Sequence, residues 1–317
     1  MGNQLIAVVI PAYKVSTHIL GVLHKIGPEV SRIFVVDDAC PEGSGMLAAA
    51  QNKDRRVQVL FHDVNQGVGG AVVTGYKAAL ASGADVVVKL DGDGQMDASE
   101  IQHLVAPILA GKADYSKGNR FASITGLEVM PGIRILGNGA LSFLTKLSTG
   151  YWNVTDPTNG FTAVSRSVLE LLPLDMIAKR FFFESDMLFR LSLVRAVVWD
   201  VPMKAKYGAE KSNLNVLKAF FEFGWKHCVN YHKRLFYSYY LRDMSAASLE
   251  LPLGWALMIF GVIFGLVKWA ESIGTDIAAT AGTVMIPSVS VITGLQLVLA
   301  WVNYDVAQVP KHPISRS

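Results

Sequence analysis

Asp91 and Asp93 stand one residue apart at the end of a largely apolar run, Val86-Val87-Val88-Lys89-Leu90, and are followed by Gly94 and Gln95. The run reads as a buried strand. Its end is where an α/β sheet binds ligands, outside the carboxyl ends of the strands. Two carboxylates so close repel each other unless a cation sits between them. Oxygen ligands of this kind suit Mg²⁺ or Mn²⁺, which in turn holds a ligand's phosphates. A solvated turn with two incidental aspartates is the competing reading. Arg120, Arg134 and one of Lys204, Lys206 and Lys211 could neutralise further phosphate charge. Glu184 and Asp186 open a helix expected over 186–194, where an acid also serves as an ordinary N-terminal cap.

The elements that must position these residues alternate. Short apolar strands are expected at 5–10, ended by Pro11, then at 33–36, 57–60 and 86–90, with another at 197–201. Helical periodicity falls between them, at 16–27, 46–52 and 71–82, and again at 101–111. Alternation of this kind predicts a parallel sheet covered by helices. The cluster Gly67-Val68-Gly69-Gly70 reads either as a phosphate-cradling loop or as small residues that let a helix pack close to the sheet. Residues 125–148 are glycine-rich and mixed, suiting a membrane-facing lid or an ordinary surface helix equally.

The 317 residues are 51% hydrophobic and 17% charged, more apolar than a typical soluble protein. A net charge of +3 is too small to argue for a nucleic-acid partner. Cys40 and Cys228 lie far apart and form no metal spacing, which points to a reducing compartment. Met1-Gly2-Asn3-Gln4 runs straight into a strand, so no cleavable leader is expected.

From Leu214 the character changes. Apolar and aromatic residues recur at helical spacing beside Lys218, Lys226 and Lys233, as in helices lying in a bilayer interface. Two apolar runs follow, 251–270 and from Ile277 to about Val302, each long enough to span a bilayer. Basic residues flank them on the outer ends, Arg234 and Arg242 before and Lys311 and Arg316 after. The positive-inside rule then places the large domain and the C-terminus in the cytoplasm. The expected layout is a catalytic domain over 1–213, juxtamembrane helices over 214–245, a membrane hairpin over 246–305 and a tail over 306–317.

The order of motifs resembles the family 2 glycosyltransferases of the A-type fold, in particular their polyprenyl-phosphate branch. The resemblance is carried by Val9-Ile10-Pro11-Ala12-Tyr13, Val35-Val36-Asp37-Asp38, Asn65 to Gly75, and Asp91-Gly92-Asp93-Gly94-Gln95. It continues in Gly118-Asn119-Arg120-Phe121, Asp156-Pro157-Thr158-Asn159-Gly160-Phe161, and Val201-Pro202 leading to Lys211-Ser212. It implies a Rossmann-like, mixed but mainly parallel sheet. It implies that Pro11, Ala12, Tyr13, Asp37 and Asp38 line a nucleotide pocket with Gly67 nearby, and that Asp91, Asp93 and Gln95 hold the metal. Arg120 and Arg134 would bind phosphates of donor and acceptor, and Lys206 falls near a third family arginine. Lys14-Val15 and Ala39-Cys40 depart from the family pattern.

The implied reaction is metal-dependent, inverting transfer of a sugar from a UDP- or GDP-sugar to undecaprenyl or dolichyl phosphate. The implied setting is the cytoplasmic face of a membrane, the bacterial inner membrane first and the endoplasmic reticulum second. The lipid phosphate is already anionic, so a strong base is dispensable. Asp156 and Glu184 are the candidates if one is used. Two alternatives stay open: transfer to a hydroxyl of a lipid-linked sugar or glycerolipid, and a non-catalytic membrane scaffold. The interfacial helix and the hairpin suit contacts in a homo-oligomer.

Overall fold

A computed structural model describes residues 4–122, 132–203 and 216–314. Lys206, with the rest of 204–215, lies outside the described residues, as does 123–131. Arg134 falls in a described helix, but its side chain is outside the described set.

The strands are β1 (Ile6–Ala12), β2 (Arg32–Asp37), β3 (Val57–Phe61), β4 (Val86–Lys89), β5 (Tyr115–Asn119), β6 (Thr162–Ser165) and β7 (Val198–Pro202). The helices are α1 (Ile19–His24), α2 (Ser44–Gln51), α3 (Val68–Ala81), α4 (Ile101–Leu109), α5 (Gly132–Thr149), α6 (Arg166–Leu171), α7 (Phe183–Leu193), α8 (Val216–Phe236), α9 (Ala246–Thr275) and α10 (Ala281–Ala307).

The strands form one seven-stranded sheet in the order β3-β2-β1-β4-β6-β5-β7. It is parallel except for β6, which runs antiparallel to both neighbours. Alternate residues of the central strands face two cores, as a buried sheet requires. Val8, Ile10, Val88 and Leu90 meet α1 and α4 on one side. Ala7, Val9 and Val87 meet α3 and α7 on the other.

Three strands differ from expectation. Strand β1 runs through Pro11 to Ala12 rather than ending before it. By Pro11 the β4 side of the strand is no longer paired, since that pairing covers only Ile6 to Val9, so the missing N–H leaves no ladder bond unmade. Strand β5, polar Tyr115-Ser116-Lys117-Gly118-Asn119, was not expected, and neither was β6. Thr162-Ala163-Val164-Ser165 is too short to carry a periodic signal, and it follows a compact turn.

Its place in the sheet matters most for the site. Lys89 of β4 pairs in register with Thr162 of β6, Thr162 with Lys117 of β5, and Lys117 with Asp200 of β7. Residues in register share a face, so one polar row crosses four strands at their ligand-binding end.

The described contacts divide the chain into two units, 1–234 with 310–317, and 235–309. In the first, the tail returns to the sheet domain, where Ile314 N–H donates to Asp114 Oδ2 at 3.0 Å. Helix α8 turns a polar side inward. His227 hydrogen-bonds Ser148 at 2.8 Å, Asn230 donates to Asp186 at 3.4 Å and Arg234 donates to the Leu147 carbonyl at 2.8 Å. Phe221 and Trp225 are left exposed on its other side.

The second unit is an antiparallel pair, α9 and α10, both long and apolar enough to cross a membrane. A Cβ at Gly254 would lie 2.9 Å from the Gly294 carbonyl, and one at Gly261 2.8 Å from that of Pro287, so these glycines set the approach of the two backbones. Tyr239, in a π-helical turn before α9, donates to Asp305 at 2.6 Å.

Helix α3 reaches β1 only because Gly75 has no side chain. A Cβ there would collide with both methyl groups of Val9. Gly75→Ala therefore destabilises the sheet domain by about 1–3 kcal/mol, the usual range for overpacking. Denaturant or thermal unfolding of the purified protein checks this, with Gly21→Ala, which meets open space in helix α1 and is expected to be neutral to slightly stabilising, as the control.

Candidate active site

The strand that ends in the aspartates carries a buried lysine just before them. Lys89 is 1% exposed, and its Nζ lies 2.9 Å from Asp91 Oδ1 and 3.1 Å from Glu184 Oε1 on α7. Burial by itself disfavours the ammonium. The negative charges of Asp91 and Glu184 outweigh that and hold its pKa above the ordinary lysine value. Gly160 closes the junction. A Cβ there would collide with Lys89 Nζ and lie 2.8 Å from Asp91 Oδ2.

Asp91 is thus tied on one oxygen, with its side chain still 29% exposed. Asp93 Oδ1 accepts the Gln95 N–H at 2.9 Å, which closes the loop on itself. Gln95 acts here through its backbone.

Among the described residues no three His, Cys, Asp or Glu side chains converge as a ready cage. The donor set fits a hard cation held by one or two carboxylates and completed by a substrate's phosphates, which is how Mg²⁺ is usually bound. It does not suit a metal that needs nitrogen or sulfur ligands.

Arg120 follows β5 directly and forms a two-pronged pair with Asp156. Its Nε donates to Oδ2 at 2.7 Å and an Nη to Oδ1 at 2.9 Å. The Arg120 backbone N–H also reaches Oδ2 at 3.2 Å. Asp156 is fully enclosed while the Arg120 side chain is 31% exposed. The arrangement fixes the orientation of a planar guanidinium that stays partly exposed, the kind of group suited to an oxyanion.

Lys117 secures the same loop from beneath by donating to the Asn159 carbonyl. Asn159 Oδ1 in turn accepts the Phe161 N–H at 3.0 Å. Burial pulls the Lys117 ammonium down to about 8, and Lys89 adds to this, against the opposing pull of Asp156 and Glu184.

The β1 and β2 ends form a second group. Asp37 accepts from Cys40 N–H at 2.8 Å and Gly45 N–H at 2.6 Å, holding the turn into α2. Asp38 accepts from His62 Nδ1, Gln66 N–H and Gly67 N–H, each at 2.8 Å, and so shapes the turn into α3. Both carboxylates are buried, and their oxygens serve backbone turns. Tyr13 beside them is 44% exposed. Gly67 has φ +87°, and a Cβ on it would lie 2.6 Å from the Lys179 carbonyl, so a close approach requires it.

In the sequence Asp91, Asp93, Arg120, Asp156 and Glu184 stand in separate motifs. In the fold Lys89 ties Asp91 to Glu184, and Lys117 holds the turn that carries Asp156. A lone lysine in an otherwise apolar strand was the available signal, because a fully buried lysine is rare unless paired.

A family model described as Glycosyl transferase family 2 matches residues 7–172. The chain belongs to this family. It is a glycosyltransferase with the A-type fold. It is 31% identical over 221 residues to the UDP-N-acetylglucosamine–dolichyl-phosphate N-acetylglucosaminyltransferase of Methanococcus voltae, covering 65% of this chain and 88% of that relative. It is 30% identical over 231 residues to the polyprenol monophosphomannose synthase of Mycolicibacterium smegmatis, covering 69% and 86%. Glucosyl-3-phosphoglycerate synthase from Mycobacterium tuberculosis, solved with Mn²⁺, UDP and glucosyl-3-phosphoglycerate, aligns with a TM-score of 0.54 at 20% identity, over 73% of this chain and 80% of that one. That likeness is one of fold.

The depressed pKa of Lys117 has a definite consequence for stability. Between about pH 8 and the ordinary value of 10.5 the unfolded chain holds this proton and the folded chain does not. Folding stability from this group therefore rises with pH across that window. Unfolding of the wild type and of Lys117→Met, compared at pH 8 and pH 10, checks it: the rise is present in the wild type and absent in the variant.

Proposed function

We propose that this glycosyltransferase moves a sugar from a nucleoside diphosphate sugar to a polyprenyl phosphate, with inversion at the anomeric carbon, at a membrane surface. One observation carries the choice of acceptor. The two carboxylates that could act as a base for a hydroxyl, Asp156 and Glu184, are engaged by Arg120 and Lys89. A phosphate acceptor needs no such base, because it arrives as an anion. The names of the relatives from Methanococcus voltae and Mycolicibacterium smegmatis point the same way. The relatives differ in the sugar, N-acetylglucosamine in one and mannose in the other, so the donor is left to experiment.

In this reading the nucleotide lies over the ends of β1 and β2, beside Pro11, Ala12 and Tyr13, in turns built by Asp37 and Asp38. Asp91 and Asp93 would hold a Mg²⁺ or Mn²⁺ ion, which supplies Lewis-acid neutralisation of the diphosphate. Arg120, oriented by Asp156, binds a phosphate and offsets its charge. A lipid phosphate oxygen attacks the anomeric carbon, a new C–O bond forms, and the nucleoside diphosphate leaves with the electrons of the broken bond. Holding both partners in line contributes much of the acceleration. Arg134 and Lys206 would add positive charge on the acceptor side.

Helices α9 and α10 serve as a membrane hairpin, and the exposed Phe221 and Trp225 of α8 suit a lipid interface. Lys226, Lys233 and Arg242 before the hairpin and Lys311 after it favour a cytoplasmic catalytic unit.

Membranes containing the protein, incubated with radiolabelled UDP- and GDP-sugars, polyprenyl phosphate and Mn²⁺, give labelled lipid extractable into organic solvent. EDTA and Asp93→Ala each abolish it. Label that enters a glycolipid only through a hydroxyl acceptor, or no labelled lipid with any donor from folded protein, overturns the reading.

A further inference from the structure

Glu184 was a candidate base, yet its carboxylate turns to Lys89 rather than standing alone. Lys89 Nζ bridges Glu184 Oε1 at 3.1 Å and Asp91 Oδ1 at 2.9 Å, and only 1% of the lysine side chain reaches solvent. The three groups come from different places, Lys89 and Asp91 from the end of β4 and Glu184 from the first turn of α7. The charges are unequal by design of the contact: two carboxylates surround one ammonium, so the cluster keeps one negative charge. Glu184 is 15% exposed and Asp91 29%, so the outward member of the cluster is Asp91.

We propose that Glu184 is a positioning residue that cancels the charge of Lys89, so that Asp91 remains negative toward a divalent cation and the donor diphosphate while Lys89 fixes its orientation. This rests on the glycosyltransferase reading and assigns Glu184 a task other than proton transfer. Without Glu184, Lys89 and Asp91 form a neutral pair. Without Lys89 as well, Asp91 recovers its charge but loses its anchor. Gly160 belongs to the same device, since any side chain there would enter the space between Lys89 and Asp91.

The charges make a prediction that neither a base nor a purely structural glutamate would make. Removing a unit charge a few ångströms from a bound cation weakens binding roughly tenfold or more in a partly screened site. Glu184→Gln keeps the shape and loses the charge. Mn²⁺ affinity in the presence of saturating UDP or GDP, read from the electron paramagnetic resonance of free Mn²⁺ with the full-length protein in detergent, should fall about tenfold in this variant. The paired change Lys89→Met with Glu184→Gln restores the net charge and should recover most of that affinity. In transfer assays the Glu184→Gln loss should appear as a higher Mn²⁺ requirement for half-maximal rate, rather than as a lower rate at saturating Mn²⁺.

The double variant also guards against misfolding, because removing both members of a buried pair is far milder than stranding one. Unchanged Mn²⁺ affinity in Glu184→Gln, or a loss that Lys89→Met does not relieve, overturns the proposal and leaves the function standing. A rate loss at saturating Mn²⁺ with unchanged affinity would instead return Glu184 to the role of base. Wild-type protein that binds no Mn²⁺ with either nucleotide contradicts the proposed function itself, and this inference with it.

Discussion

A charged lysine sealed inside a sheet is costly unless its charge is met, and the candidate site is organised around meeting it. Lys89 needs two carboxylates, and the fold supplies them from the loop after its own strand and from the first turn of α7. That requirement ties the Asp91 loop to a helix on the far side of the core and forbids a side chain at Gly160. Lys117, two strands away, is buried without a carboxylate in contact among the described residues and donates to a backbone carbonyl, holding the turn that places Asp156 against Arg120. The antiparallel strand β6 lies between them and puts both lysines in one register. The Asp91 loop and the Arg120–Asp156 pair are therefore set by adjacent positions of one sheet.

The β2 side follows the same economy with aspartates in place of lysines. Asp37 and Asp38 direct their oxygens at backbone N–H groups of the two turns that open α2 and α3. Such buried carboxylates rigidify the rim of the sheet, where loops must hold a ligand without a strand's support. Tyr13 beside them stays partly exposed, in contrast to the two buried carboxylates.

Much of this was legible in the chain. The β-branched run and the paired aspartates form a local signal, and strand and loop fall where that signal puts them. Arg120 and Asp156 could be named from motifs, but not their mutual pairing, because 36 residues of chain separate them. Strand β6 escaped notice since Thr162 to Ser165 has no periodicity to read. The register between Lys89 and Lys117 escaped with it, as it depends on β6 being inserted between β4 and β5. Helix α8 shows a different limit. Its spacing reveals that two faces exist, yet only packing shows that the polar His227, Asn230 and Arg234 turn inward and the aromatic side outward. Lys206 and the side chain of Arg134 lie outside the described residues, so their parts in the site come from the sequence alone.

The central claim is that Asp91, Asp93 and the Arg120–Asp156 pair act on one diphosphate. The most direct measurement is a crystal or cryo-electron microscopy structure of the protein with Mn²⁺ and the donor's nucleoside diphosphate, with manganese located by its anomalous signal where crystals allow. The account predicts manganese bound by an Asp91 or Asp93 oxygen and by the diphosphate, Arg120 on a phosphate oxygen and still paired with Asp156, and Lys89 between Asp91 and Glu184. Manganese bound elsewhere, or a diphosphate that touches neither the Asp91 loop nor Arg120, would contradict it.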